Sequence, residues 1–267
     1  MVNKLKSTKI IDYGNIKVLE FNKMLEFKDK VEVLVALKTY NNGFSRLKNF
    51  EPDNNKYKNI AKVLNVQPTD IIVAKQSHTD NIAIIEKNKP YDLEDIDGII
   101  TNVKNIPTAI TFADCTPIFF YDPIQNVIAN IHSGWKGTVQ KIAEKAIHEL
   151  ITKYNSKPQN IICLIGPCIR KDHFLVNDDV KDIFEDKFKH FSKKYDIIAK
   201  TNMYNEKGIQ YKIDAVLINK LILKENGILD KNIIDSEICT VCNSNDFHSR
   251  RVEGVDYEVN TGLMMLK

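Results

Sequence analysis

The sequence predicts an α+β fold in which mixed β-sheets pack together with helices on the outside. Short apolar runs typical of buried strands follow one another closely between residues 70 and 131. The gaps between them are too short for the crossover helices that parallel sheets need. The clearest helical periodicity comes after this region rather than alternating with its strands. No Gly-, Pro- or Ser-rich linker divides the chain, so residues 1–267 are predicted to form one domain.

The strands are predicted from apolar runs bounded by polar or turn-forming residues. The first is residues 31–38, and the closing strand is residues 257–266. The strands predicted between them are residues 70–75, 81–86, 98–101, 107–113, 117–121, 126–131, 160–165 and 172–177.

The strongest helix prediction covers residues 138–153, where apolar side chains recur on one face and Thr138 can act as the N-cap. A second helix is predicted to begin after Asp214 and to run to Lys224. Shorter helices are predicted at residues 57–64 and 178–190. The polar stretch Thr39–Lys58 is predicted to be a loop.

The composition is that of an ordinary globular protein, with 43% hydrophobic and 27% charged residues. The net charge is +3 and the lysines are scattered, which argues against a nucleic-acid partner. The N-terminal residues show no export signal, and no apolar run is long enough to span a membrane. An odd count of five cysteines indicates reduced thiols, so we expect a cytoplasmic protein without a membrane partner, as a monomer or small homo-oligomer.

Three side chains that bind metals well follow strand-like runs: His78, Cys115 and His132. Two imidazoles and one thiol suit Zn²⁺. Three protein ligands would leave one position open, as in catalytic zinc sites. Copper is the alternative metal, but the six histidines of the chain are too few for a true multicopper oxidase.

The residues beside these ligands predict further chemistry. Gly134 and Gly137 lie in a strand-to-helix turn whose backbone N–H groups can hold an anion, with Lys136 adding a positive charge. Asp114 is a candidate base beside Cys115. The alternative functions are a copper oxidase and a cysteine hydrolase with Cys115 as nucleophile and His132 as base.

Two more motifs lie near the C-terminus. Cys239 and Cys242 form a C-x-x-C pair, which is half a zinc site or a redox pair. Arg250 and Arg251 follow Phe247, and paired arginines suit phosphate because their planar guanidinium groups match its oxygens.

Together these motifs resemble the YfiH-type family, also called the multicopper polyphenol oxidase or laccase-like family, whose members are regarded as purine nucleoside phosphorylases. The resemblance runs from about residue 70 to the end of the chain. Its segments are Gln76–His78, Ala113–Pro117, His132–Gly137, Gly166–Ile169, Asp214–Ala215, Cys239–Thr240, Phe247–Arg251 and Thr261–Gly262.

The resemblance implies a four-layer α/β/β/α fold and a zinc ion held by His78, Cys115 and His132. It implies phosphorolysis of adenosine, inosine, guanosine and in some members methylthioadenosine, with possible adenosine deamination. Asp114, Cys115, His132 and Lys136 are the predicted catalytic residues. Residues predicted to bind nucleoside or phosphate are Arg46, Gln76, Gly134, Gly137, Arg250 and Arg251.

The chain departs from the family pattern in two places. The N-terminal loop of the family is reduced to a short stretch ending in Arg46, and Leu263 stands where the family usually has arginine. Because a lost cation weakens anion binding, we expect Arg46 to take its place.

Overall fold

Two six-stranded β-sheets form the centre of the protein in the computed structural model, which describes residues 7–38, 55–87 and 92–267. A third sheet has three strands. The strands are β1 (Thr8–Asp12), β2 (Lys17–Phe21), β3 (Val31–Ala36), β4 (Ile72–Val73), β5 (Ile82–Ile85), β6 (Gly98–Thr101), β7 (Thr108–Phe112), β8 (Thr116–Asp122), β9 (Val127–Ser133), β10 (Ile162–Ile165), β11 (Leu175–Val176), β12 (Ile198–Asn205), β13 (Gly208–Ile213), β14 (Ile233–Asp235) and β15 (Asn260–Leu266).

Both large sheets are mixed. The first has the order β1-β2-β3-β15-β7-β4, and only its β4–β7 pair is parallel. The second has the order β14-β10-β8-β9-β6-β5, with parallel pairs at its two edges. The small sheet has the order β11-β13-β12.

The described residues also form helices. They are α1 (Asn55–Leu64), α2 (Trp135–Val139), α3 (Ile142–Tyr154), α4 (Asp178–Lys187), α5 (Lys189–Ser192), α6 (Ala215–Glu225) and α7 (Arg250–Glu253). Helix α1 packs on the first sheet through Tyr57 and Ile60, and α3 and α6 pack on the second. The arrangement is the predicted α+β fold in four layers, α/β/β/α.

The two sheets meet through apolar side chains such as Phe112 of β7 and Phe119 of β8. Gly262 of β15 is needed at this contact, since a Cβ atom there would lie 2.8 Å from the Phe119 ring. The buried Asn130 side chain joins the sheets by donating to the Gly262 carbonyl oxygen at 3.1 Å. The Thr261–Gly262 motif therefore serves sheet packing.

Most predicted strands lie within two residues of an observed one, but two predicted helices are interrupted. The helix predicted over residues 178–190 is two helices, α4 and α5, separated at Phe188. The continuous helix predicted over residues 138–153 is two helices, α2 and α3, separated where Lys141 adopts φ 59°. Thr138 is not an N-cap, because it lies buried inside α2. Asp214 does cap α6, since its carboxylate accepts the Leu217 N–H at 2.8 Å.

The hairpins β1–β2 and β12–β13 were not predicted from the sequence. β12 and β13 carry many partly exposed side chains, so they lack the apolar runs used to predict strands. Of the predicted loop Thr39–Lys58, residues 39–54 lie outside the described residues, and the rest begins α1. Within the described ranges, no helix has both the length and the apolar character needed to cross a membrane.

Candidate metal centre and cavity

Three chain segments bring His78, Cys115 and His132 together. The Cys115 Sγ and His78 Nε2 atoms are 3.7 Å apart, and the two imidazole ring centres are 5.0 Å apart. One ligand atom from each of the three residues lies within 4.8 Å of the others. His132 is the second-last residue of β9, Cys115 immediately precedes β8, and His78 follows β4, so the sheets set these positions.

His78 occupies a backbone conformation that needs support, because its φ is 65°. The support comes from Asp97, a fully buried carboxylate just before β6. The backbone N–H groups of Ser77, His78 and Thr79 donate to it at 3.2, 3.1 and 2.8 Å. The Thr79 hydroxyl donates to it as well, at 2.9 Å.

Asp97 also fixes His132. Its Oδ1 atom lies 2.7 Å from His132 Nδ1, and its carbonyl oxygen accepts the His132 backbone N–H at 2.7 Å. With Nδ1 engaged in this way, Nε2 is the ring nitrogen left for a metal or for Cys115. The role of Asp97 was not predicted from the sequence. The sequence shows it only as an acidic residue directly before a buried strand.

The Cys115 thiol and the His132 imidazole shift each other's pKa. Burial opposes ionisation of Cys115, but the positive charge of His132 and hydrogen bonds from both imidazoles lower the thiol pKa to about 6. Burial likewise opposes a charged His132, yet the Cys115 thiolate and Asp97 raise the pKa of its imidazole to about 9. The thiolate is therefore available to a metal at neutral pH.

Because Gly134 has no side chain, it leaves room for the side chains of His78 and Cys115. A Cβ atom at this position would lie 2.7 Å from His78 Cδ2 and 3.3 Å from Cys115 Sγ. A Cβ atom at Gly137 would meet only ordinary contacts, the nearest at 3.4 Å from Ile142. The structure therefore gives Gly134 a steric role.

A cavity of about 850 Å³ is lined by His78 and Cys115. Its wall also contains the carboxylate residues Glu94, Asp95 and Asp114. The aromatic residues in its wall are Tyr57, Phe112, Trp135, Phe174 and Tyr257. This volume is typical of a small-molecule site.

Gln76 and Asp114 line the cavity but already bind the protein. The Gln76 side chain donates to the Thr111 carbonyl oxygen at 2.7 Å and accepts the Thr111 N–H at 2.6 Å. The Asp114 carboxylate accepts the Thr240 hydroxyl at 2.6 Å and the Arg251 backbone N–H at 2.8 Å. Both side chains therefore hold neighbouring segments in place beside Cys115.

The two arginines of the predicted anion site lie in the cavity wall and are exposed. The Arg251 guanidinium donates to the carbonyl oxygens of His173 and Leu175 at 2.8 and 3.2 Å. The Arg250 guanidinium lies 5.8 Å from the Tyr257 ring centre. Arg250 is consequently the better placed of the two to receive an anion.

The remaining predicted residues differ in position. Lys136 is exposed over the Trp135 ring, 5.7 Å from its centre, and is not among the residues that line the cavity. Leu263 is buried in β15 beneath the cavity, packed with Tyr57 and Tyr257. Arg46 lies outside the described residues.

The donor set fits one metal ion rather than a copper cluster. Zn–S bonds of about 2.3 Å and Zn–N bonds of about 2.05 Å at a tetrahedral angle place S and N about 3.6 Å apart. The observed separation of Cys115 Sγ and His78 Nε2 is 3.7 Å. All six histidines fall in the described ranges, and none but His78 and His132 belongs to this group.

The motifs that surround the candidate metal ligands belong to a known protein family. The sequence model of the family described as multi-copper polyphenol oxidoreductase laccase matches residues 36–267. The chain belongs to this laccase-like family. The candidate metal ligands His78, Cys115 and His132 all lie within the matched residues.

Relatives in the laccase-like family carry enzyme names. The purine nucleoside phosphorylase YlmD of Bacillus subtilis is 31% identical over 214 residues, covering 77% of this chain and 73% of the relative. The adenosine deaminase RL5 of an unknown prokaryotic organism is 31% identical over 205 residues, covering 74% of this chain and 75% of the relative.

Solved structures of similar proteins share the fold. The crystal structure of YlmD from Geobacillus stearothermophilus aligns with a TM-score of 0.80 over 97% of this chain and 98% of that chain, at 21% identity. The Bacillus licheniformis hypothetical protein YfiH aligns with a TM-score of 0.78 over 96% of this chain and 100% of that chain, at 24% identity. The four-layer α/β/β/α arrangement is therefore the fold of this laccase-like chain.

Proposed function

We propose that this protein is a zinc-dependent purine nucleoside phosphorylase that acts on adenosine, inosine, guanosine or methylthioadenosine. The observation that carries the proposal is one cavity lined by two candidate metal ligands, several aromatic rings and two arginines. The similarity to a relative named purine nucleoside phosphorylase supports the reaction class. The reaction forms a bond from a phosphate oxygen to the anomeric carbon and breaks the bond from that carbon to the purine.

His78, Cys115 and His132 would hold the zinc ion, which supplies a Lewis acid when bound. Asp97 orients the ring of His132 and supports the backbone of His78, so the ligands are held in place before the ion arrives. Gly134 keeps the space between the ligands open.

The phosphate would bind at the arginine side of the cavity. Arg250 offers its guanidinium group, while Arg251 anchors the segment through its bonds to His173 and Leu175. A fixed cation near the sugar holds the anionic nucleophile close to an oxocarbenium-like centre, which lowers the barrier electrostatically. Gln76 and Asp114 are proposed as positioning residues for the same wall.

The purine would lie among the aromatic side chains. Trp135, Phe174 and Tyr257 line the cavity and offer flat apolar surfaces to a planar base. Similarity to a relative named adenosine deaminase supports adenosine deamination as a second activity of the same site.

A cysteine hydrolase is the second candidate, favoured by the low thiol pKa of Cys115 beside His132. The two functions differ in the state of the thiol. In a phosphorylase with bound zinc, Cys115 is a ligand and should resist alkylation, whereas a hydrolase with bound metal would lose activity as Cys115 is alkylated.

The decisive experiment incubates the purified protein with inosine or adenosine, with and without phosphate, and resolves the products by chromatography. We expect base and ribose 1-phosphate only when phosphate is present, and base release restored by arsenate. Equal base release without either anion would show a hydrolase. A His78→Ala/Cys115→Ala double variant should lose both the metal and the reaction, and full metal retention in it would contradict the ligand assignment.

A further inference from the structure

The C-x-x-C pair meets a histidine that lies 66 residues earlier in the chain. Cys239 Sγ lies 3.5 Å from His173 Nδ1, and Cys242 Sγ lies 3.7 Å from the same nitrogen. One ligand atom from each of the three residues lies within 4.8 Å of the others. This group is separate from the group formed by His78, Cys115 and His132.

The backbone brings these three side chains together without a metal. The Asn243 N–H donates to the Cys239 carbonyl oxygen at 3.0 Å, so one turn places Cys239 and Cys242 on the same side. Cys239 forms a parallel β-bridge with Cys168, which fixes this turn on the core. The backbone of His173 is fixed as well, since its amide N–H donates to the Arg170 carbonyl oxygen at 2.9 Å.

The separations match those expected around zinc. Tetrahedral zinc with Zn–S bonds of about 2.3 Å and a Zn–N bond of about 2.05 Å has S and N about 3.6 Å apart. The two observed distances, 3.5 and 3.7 Å, fall on either side of that value. Both thiols are free, and two thiols with one imidazole form a donor set that zinc favours.

We propose that His173, Cys239 and Cys242 bind a second zinc ion, distinct from the ion of the cavity. Cys239 is buried and Cys242 is exposed, so the ion can enter from solvent and water completes its coordination. This proposal does not depend on the reaction that the cavity performs.

The second ion would tie together two segments of the cavity wall. Phe174, directly after His173, lines the cavity, and the His173 carbonyl oxygen accepts from Arg251. Thr240, directly after Cys239, donates to Asp114, the neighbour of Cys115. Binding there should therefore stabilise the folded wall against heat, because an ion that binds only the folded state raises the unfolding temperature.

The test uses the full chain, reduced, stripped of metal with a chelator and titrated with Zn²⁺ against a chromophoric competitor. We expect about two zinc ions per wild-type chain and about one in His173→Ala or in Cys239→Ser/Cys242→Ser. His190→Ala is the matched control, since His190 is exposed and pairs with Glu225, and it should keep both ions.

A second measurement needs no variant. Alkylation of the wild-type chain, mapped by peptide mass spectrometry, should show that Zn²⁺ protects Cys239 and Cys242 as well as Cys115. One zinc ion per wild-type chain, with Cys239 and Cys242 alkylated at the same rate with and without Zn²⁺, would overturn the proposal. So would a Cys239–Cys242 disulfide that persists in reductant and excludes the ion.

Discussion

Asp97 Oδ1 and His132 Nδ1 lie 2.7 Å apart in the buried core beneath the cavity. The same carboxylate accepts the backbone N–H groups of Ser77, His78 and Thr79. One buried anion thus holds two of the three proposed metal ligands, although they come from segments that are far apart in the chain. Burial raises its pKa, but the bonds from His132 and Thr79 outweigh that effect, and the carboxyl pKa is lowered overall.

Replacing this carboxylate should weaken metal binding without removing a ligand. We expect Asp97→Asn to lower zinc affinity at the cavity site by about 10- to 100-fold, because the amide cannot accept every bond that the carboxylate accepts. Competition with a chromophoric chelator measures the change. Asp80→Asn, which removes a partly exposed carboxylate paired with Lys145, should leave the affinity unchanged.

Adding one methyl group at Gly134 should disturb the ligands. The Cβ atom of Gly134→Ala would lie 2.7 Å from His78, so the ring must move. Because a shift of about 1 Å in a reacting group can cost about 100-fold in rate, we expect a loss of that order. Gly137→Ala is the control and should keep its activity, and equal losses in both variants would point to a general effect on α2.

Alkylation of the metal-free protein should follow the ionisation of Cys115. Its folded-state pKa is lowered to about 6, so the reactive thiolate forms as the pH rises through that value. We expect the rate of iodoacetamide labelling at Cys115 to show a midpoint near pH 6. Cys242, whose pKa is raised, should react appreciably only at higher pH and provides the internal comparison. A midpoint for Cys115 near its ordinary value would argue against the charged pair with His132.

The two arginines should respond differently to substitution. Arg250→Ala should raise the KM for phosphate by about ten- to a hundred-fold, the equivalent of about 1.5–3 kcal/mol for a lost charge-assisted bond. The unfolding temperature of the Arg250→Ala variant should change little. Arg251→Ala should also lower the unfolding temperature, by about 2–4 °C per kcal/mol lost, because Arg251 bonds the His173 and Leu175 carbonyl oxygens. Phosphate kinetics and thermal melting, measured side by side, distinguish these roles.

The strands beside the proposed metal ligands could be predicted because their faces are buried. β8 and β9 are apolar along most of their length, and the ligands stand at their ends. The break between α2 and α3 could not be predicted in this way. It depends on Lys141 adopting a left-handed backbone conformation, while the apolar periodicity continues across the break.

The sequence by itself determined the α+β class and the three side chains proposed as metal ligands, because strand burial and metal preference are local properties of residues. Only the tertiary structure decided which distant residues support them. Asp97 carries no local signal that it will meet His132, and His173 carries none that it will meet Cys239 and Cys242. Such contacts depend on how the sheets and turns pack, since hydrogen bonds and metal geometry require positions fixed to a few tenths of an ångström.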